Sequence, residues 1–221
     1  MMRELDALRA VTENPARPSI AILGGAKVSD KIGVIRNLLT KVDAILIGGA
    51  MAYTFLKAGG VPIGVSRVEE DKLDLARELT AEAEKHNVQF RLPLDHVVAA
   101  GPDQPDTVKI VTEIPPDMMG LDIGPATIDD FIQRLGSAKT VIWNGPLGFF
   151  EHEAFASGTM RVGEAIANLS GAKTIIGGGD TAAAVGHQSW SSRFTHISTG
   201  GGATLEYLEG KELPGVKALE V

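Results

Sequence analysis

The sequence predicts an α/β protein, a Rossmann-like three-layer αβα domain built on a mainly parallel sheet. Four times the chain runs from β-branched and apolar residues straight into paired glycines, at residues 20–25, 45–49, 175–179 and 197–202. Such runs read as strands buried on both faces, because a strand with one wet face alternates apolar and polar residues. Between them lie segments with apolar residues at helical spacing, so strands and helices alternate along the chain. With 221 residues the chain can bury one substantial core.

Each element follows from local pattern. Leu5, Leu8 and Val11 mark one side of a short leading helix that Asn14-Pro15 ends. Residues 19–23 form the first strand, and Val28, Ile32, Ile35, Leu38 and Val42 place a helix after the first glycine pair. Residues 43–47 give a second strand and 50–57 a helix behind Gly48-Gly49. A charged helix runs over 69–86, with Glu69, Glu70 and Asp71 near its positive end. Short strands fit 89–92 and 97–99. The prolines and aspartates of residues 101–123 read as an excursion or small hairpin away from the sheet. Thr127, with Asp130 three residues on, suits an N-cap ahead of a helix carrying Ile128, Phe131, Ile132 and Leu135. Strands at 140–143, 174–176 and 195–198 then alternate with helices at 154–169, 181–187 and 203–208.

A net charge of −7 argues against a sequence-independent grip on DNA or RNA, which needs basic surface to displace counterions. The absence of cysteine excludes disulfides and thiolate-bound metals. No signal-peptide core is present, and the most apolar stretch, residues 44–56, is too short to span a bilayer, so a soluble cytoplasmic protein without membrane partners is expected. The five histidines show no metal-ligand spacing.

The glycine corners would bring helix N-termini and bare amides to one edge of one sheet, which suits a phosphate chain and points to a nucleotide-binding face. Lys27 follows Gly24-Gly25-Ala26, and Lys31 lies four residues on, so a helix would place both ammonium groups on one face. Two lysines at a positive helix end favour an anion between them. Neither a P-loop nor a three-glycine dinucleotide fingerprint is present. In Gly177-Gly178-Gly179-Asp180-Thr181 the aspartate can cap a helix or hold Mg²⁺, and Thr181 offers a hydroxyl to a phosphate oxygen. The stretch from Trp143 through Asn144, Pro146, Gly148, Phe149 and Phe150 to Glu151 is either a connection or a slot for a flat base and a ribose diol. Gly200-Gly201-Gly202 opens the last helix with unpaired amides.

Taken together these motifs resemble the C-terminal, nucleotide-binding half of phosphoglycerate kinase. The likeness runs nearly end to end, through residues 17–31, 47–56, 121–125, 143–151, 177–181 and 198–203. It implies that Lys27 stabilises the transferring phosphoryl group, that Lys31 assists at the nucleotide phosphates, and that Asp180 ligands Mg²⁺. Gly25, Gly178, Gly179 and Thr181 would cradle phosphates, and Glu151 would bind ribose hydroxyls. Gly48, Gly49, Gly124, Asn144, Pro146 and Gly148 would line the adenosine side, and Gly200, Gly201 and Gly202 would meet the phosphoryl group or substrate carboxylate. Ala50 stands where a third glycine is common in the family and Phe149 where valine is common, which leaves the shape of the base pocket open.

The resemblance further implies a reaction with 1,3-bisphosphoglycerate and MgADP, a monomeric full-length enzyme, and an arginine-rich N-terminal domain that binds phosphoglycerate and is not among these residues. Residues 1–16 would be the interdomain linker helix, 17–209 the nucleotide-binding domain, and 210–221 a tail returning to the other domain. Alone, the chain would bind ADP or ATP with Mg²⁺ and turn over little substrate. A free-standing nucleotide module, and a sugar- or small-acid-binding domain using the same glycine edge, stay open as alternatives.

Overall fold

The structure, a computed structural model, describes residues 13–198 and 201–211. In chain order these form β1 (Ser19–Leu23), α1 (Ile32–Leu38), β2 (Ala44–Ile47), α2 (Met51–Ala58), α3 (Leu73–Lys85), β3 (Gln89–Arg91), β4 (His96–Ala99), β5 (Lys109–Val111), β6 (Met119–Ile123), α4 (Pro125–Leu135), β7 (Thr140–Asn144), α5 (Ser157–Ala167), β8 (Lys173–Gly177), α6 (Gly179–Val185), β9 (His196–Ile197) and α7 (Gly201–Leu208). Most of the expected linker helix and tail lies in residues 1–12 and 212–221, outside the described residues. Residues 13–16 form turn and loop.

Six strands make one parallel sheet in the order β3-β2-β1-β7-β8-β9. Strand order therefore runs outward from β1 in one direction and from β7 in the other. The crevice between them is a topological switch point, where open α/β sheets bind ligands beyond the carboxyl ends of their strands.

Period-two alternation explains the three layers. Ala21, Leu23, Ile45, Ile47, Ile142 and Ile175 face a core shared with α1, α2, α3 and α7. Ile20, Ile22, Leu46, Val141, Trp143 and Ile176 face the other, shared with α4, α5 and α6. Both faces of each central strand are therefore covered, which is why the strands lack polar alternation.

The excursion is a three-stranded antiparallel sheet, β5-β4-β6. Tyr53, Val98, Ile114 and Met118 pack it against the α2 side of the domain. Two expectations fail nearby. Thr127 does not cap α4: Gly124 occupies the N-cap and Pro125 the first turn. The capping carboxylate comes from Asp95, which accepts the Ala126 and Thr127 N–H groups at 2.9 and 2.8 Å and the Thr127 hydroxyl at 2.6 Å. The expected first helix also starts late, because residues 26–31 form turns and α1 begins only at Ile32. Glu69 explains the delay. Its carboxylate is not a helix-end charge but accepts the Val28 N–H at 2.5 Å, the Ser29 N–H at 3.1 Å and the Ser29 hydroxyl at 2.5 Å, holding that segment as a loop.

Candidate active site

The carboxyl ends of β1 and β7 meet through glycine. Gly24 donates its N–H to the Asn144 carbonyl at 3.0 Å, and Gly25 to the Pro146 carbonyl at 2.9 Å. A Cβ on Gly24 would run into the Pro146 carbonyl oxygen, and one on Gly145 into the Gly24 carbonyl oxygen. Gly145 moreover has φ of 99°, where L side chains are strained. Below this junction the fully buried Trp143 donates its indole N–H to the Gly145 carbonyl at 2.8 Å. The end of β2 joins the same junction: Gly49 donates to the Leu147 carbonyl at 2.9 Å, and Met51, opening α2, donates to the Gly25 carbonyl at 3.0 Å.

Two adjoining clefts open over this junction and share Gly25, Ala26, Pro146 and Asp180. The first, of about 280 Å³, is polar: Lys27, Lys31, Asp30, Asn144, Gly178, Gly179, Thr181 and Gly202 line it. The second, of about 330 Å³, is more apolar and includes Gly49, Ala50, Met119, Gly120, Leu121, Gly148, Phe149, Phe150 and Glu151. A charged slot continuous with an apolar one matches a polyphosphate joined to a nucleoside.

Within the polar cleft, Lys27 is exposed on the loop that Glu69 holds. Lys31 is half-buried at the start of α1, and its ammonium donates to Asn144 Oδ1. The two lysines thus do not share a helix face, but they line one cleft. Burial pulls the Lys31 ammonium below its ordinary value, and the charges of Asp30, Asp180 and Glu209 partly restore it. Asn144 Nδ2 is buried with no hydrogen-bond partner among the described residues, a donor left over in the cleft wall. Thr181 is buried and its hydroxyl oxygen accepts the Gly145 N–H at 2.7 Å, which leaves the hydroxyl proton to donate. Gly178, with φ of 91°, turns β8 into α6 and leaves Asp180 exposed in the first helical turn. No group of three or more His, Cys, Asp or Glu gathers as a metal cage among the described residues. A cation here would take Asp180 together with ligand and water oxygens.

Two expected site residues, Gly48 and Gly124, are not brought to the lining. Gly48 lies behind it, with room only for Leu147 against its backbone, and Gly124 packs on the Asp95 carboxyl at the start of α4. Gly200 is outside the described residues, whereas Gly201 and Gly202 open α7. Conversely, Arg67, Pro102 and residues 119–121 line the nucleoside-sized cleft and had no local signal. They arrive from a loop and from the small sheet, far along the chain from any glycine corner. The glycine among them, Gly120, is where the Tyr53 side chain packs closest against the strand.

A family model described as phosphoglycerate kinase matches residues 1–211. The phosphoglycerate kinase of Koribacter versatilis is 56% identical over 222 aligned residues, covering 99% of this chain and 55% of the relative. That of Clostridium botulinum strain Eklund 17B is 58% identical over 220, with the same coverages. Among solved structures, phosphoglycerate kinase from Coxiella burnetii superposes with a TM-score of 0.94 at 41% identity, covering 99% of this chain and 57% of that one. The enzyme from Pyrococcus horikoshii gives 0.86 at 31% identity, with coverages of 100% and 56%. The chain spans a little over half the length of the relatives it matches.

Proposed function

Because the chain belongs to the phosphoglycerate kinase family, we propose that it supplies the nucleotide-binding half of that enzyme, holding MgADP or MgATP for reversible phosphoryl transfer from 1,3-bisphosphoglycerate in cytoplasmic glycolysis. The observation that carries the reading is the pair of adjoining clefts at the β1/β7 switch point, one polar with two lysines and several glycines, the other more apolar with the Glu151 carboxylate. The adenine and ribose would lie by Phe149, Phe150 and Glu151, and the phosphates over Gly25, Gly178, Gly179, Lys31 and the Thr181 hydroxyl. The oxygen of Asp180 would hold Mg²⁺, a cation that takes one or two carboxylates and completes its shell with phosphate oxygens and water. When bound, the ion would supply charge neutralisation on those phosphates.

In the transfer, the bond from phosphorus to the acyl oxygen breaks and one to a β-phosphate oxygen of ADP forms, leaving a carboxylate. Little covalent chemistry is asked of the protein, so positioning and preorganised charge dominate. Lys27, exposed beside the cleft on a loop fixed by Glu69, would follow the phosphoryl group in transit, and the amides of Gly200, Gly201 and Gly202 would meet its oxygens or the substrate carboxylate. Phosphoglycerate would be held by the part of the enzyme beyond these residues, so this chain alone would bind nucleotide and turn over little substrate, and the complete enzyme would act as a monomer.

Calorimetry with MgADP tests the reading. Binding with a single site is expected. No heat at millimolar MgADP would overturn it, and substantial turnover by the chain alone would overturn the assignment of phosphoglycerate to another part of the enzyme.

A further inference from the structure

Asp122 lies outside every role assigned above, yet it touches two separate stretches of the nucleoside cleft. It is 2% exposed and sits next to last in β6, whose Met119, Gly120 and Leu121 line that cleft. One carboxylate oxygen, Oδ1, accepts the Ile123 N–H of its own strand at 2.9 Å. The other, Oδ2, accepts the Gly158 N–H at 2.7 Å. Gly158 stands in the first turn of α5, at the far end of the loop that carries Gly148, Phe149, Phe150 and Glu151. The same side chain also backs the middle of that loop, since a Cβ on Gly148 would collide with Asp122 Oδ1. A backbone bond from the Phe149 N–H to the Leu121 carbonyl at 2.8 Å completes the seam.

Keeping a carboxylate out of water is costly, and here its hydrogen bonds go to two amides, one on each side of the seam. A side chain needed only to fill space would not require that charge. We infer that Asp122 is a positioning residue: it clamps the loop of residues 147–158 onto β6 and so sets the affinity of the cleft for the nucleoside part of its ligand. The inference rests on the nucleotide reading above and names what holds the ribose-side carboxylate, Glu151, in register with the strand that lines the base.

The clamp carries a pH signature. Burial pushes the Asp122 carboxyl up to about 7, against the opposing pull of the Gly158 and Ile123 amides. The charged form makes the stronger bonds to both amides, so the clamp loosens on protonation. The ionisable neighbours are Tyr53 of α2, pushed up by burial and by the charge of Asp122, and His96 of β4, pushed down by burial, with its ring 5.5 Å from that of Tyr53. Asp95, just before β4, and Glu151 and His152, on the loop itself, are further ionisable residues of the flanking segments. Comparison with an Asp122 variant separates the Asp122 titration from any other.

Adenosine is the probe, because it lacks phosphates that would titrate in this range. With the 221-residue chain followed by amide-resolved NMR, the Gly158 and Ile123 signals should titrate together with a midpoint near 7. Adenosine should bind about fivefold tighter at about pH 8 than at about pH 6, and by reciprocity should lower that midpoint. Asp122→Asn, which cannot accept at both oxygens, should bind adenosine weakly and equally at both pH values. Wild-type affinity in Asp122→Asn, or an Asp122-linked midpoint that adenosine does not move, would overturn the clamp while leaving nucleotide binding intact. If Asp122→Asn does not fold, the wild-type titration decides alone. Failure of both adenosine and MgADP to bind would remove the nucleotide reading and the clamp with it.

Discussion

Replacing Asp95 by alanine tests whether long-range capping, and not local sequence, holds the second half of the domain together. The carboxylate is 4% exposed and accepts three hydrogen bonds, from the Ala126 and Thr127 amides and the Thr127 hydroxyl. Hydrogen bonds to charged groups contribute roughly 1.5–3 kcal/mol each, and removing the acceptor strands two donors at a buried helix start. Against that stands the desolvation cost the carboxylate no longer bears, while the void left beside Gly124 adds to the loss. The balance is a loss of about 3–4 kcal/mol. For a chain of this length each kcal/mol moves the melting midpoint by about 2–4 °C, so a fall of about 6–16 °C is expected in calorimetry or circular dichroism. Asp95→Asn, which keeps the shape and one good acceptor, should recover part of it. A loss below about 1 kcal/mol in Asp95→Ala would show that water or Thr127 itself satisfies the α4 amides, and would refute the cap.

Three further outcomes bear on the site. In an enzyme that includes the phosphoglycerate-binding part, Lys27→Ala should lower kcat by about 10²–10³ with a far smaller change in nucleotide affinity, and equal losses in both would show that its charge acts in the ground state. Asp180→Asn should weaken MgADP binding by on the order of tenfold while sparing binding measured without Mg²⁺, and an unchanged Mg²⁺ dependence in titration calorimetry would reject the ligand assignment. For stability, the folded Asp122 value of about 7 lies above that of an unfolded aspartate. Its contribution is therefore fully present below the unfolded value and is lost as pH rises through about 7, by up to about 4 kcal/mol. Asp122→Asn should consequently gain on the wild type in denaturant melts across that window, and parallel curves would place the Asp122 titration elsewhere.

Much of the domain could be read from the amino-acid order. Strands buried on two faces have no polar alternation to blur them, so β1, β2, β7 and β8 were clear, and each ended at glycines where the chain had to turn. The candidate phosphate cleft was legible for the same reason, because Gly25, Gly178 and Gly179 lie within a few residues of Lys27, Asp180 and Thr181 along the chain. The excursion of residues 101–123 was recognisable only as a departure from the pattern. Its three strands are short and partly exposed, and neither periodicity nor turn chemistry says which of them lines a cleft whose other walls come from distant parts of the chain.

What local pattern could not decide were the interactions between distant carboxylates and amides. Thr127 had the right chemistry for a cap, but Asp95, brought alongside by β4, reached the same amides with a full charge and won. Residues 26–31 had helical spacing, but Glu69 offered their amides a carboxylate that a continuous helix would not have used. The order of residues alone therefore determined the layers, the glycine corners and the charges near them, since these follow from propensity and spacing within a few turns of chain. The packed domain decided the β3-β2-β1-β7-β8-β9 order, the meeting of β1 with β7, and the seam at Asp122, because each depends on which distant segment pairs with a donor or acceptor that would otherwise be buried unsatisfied.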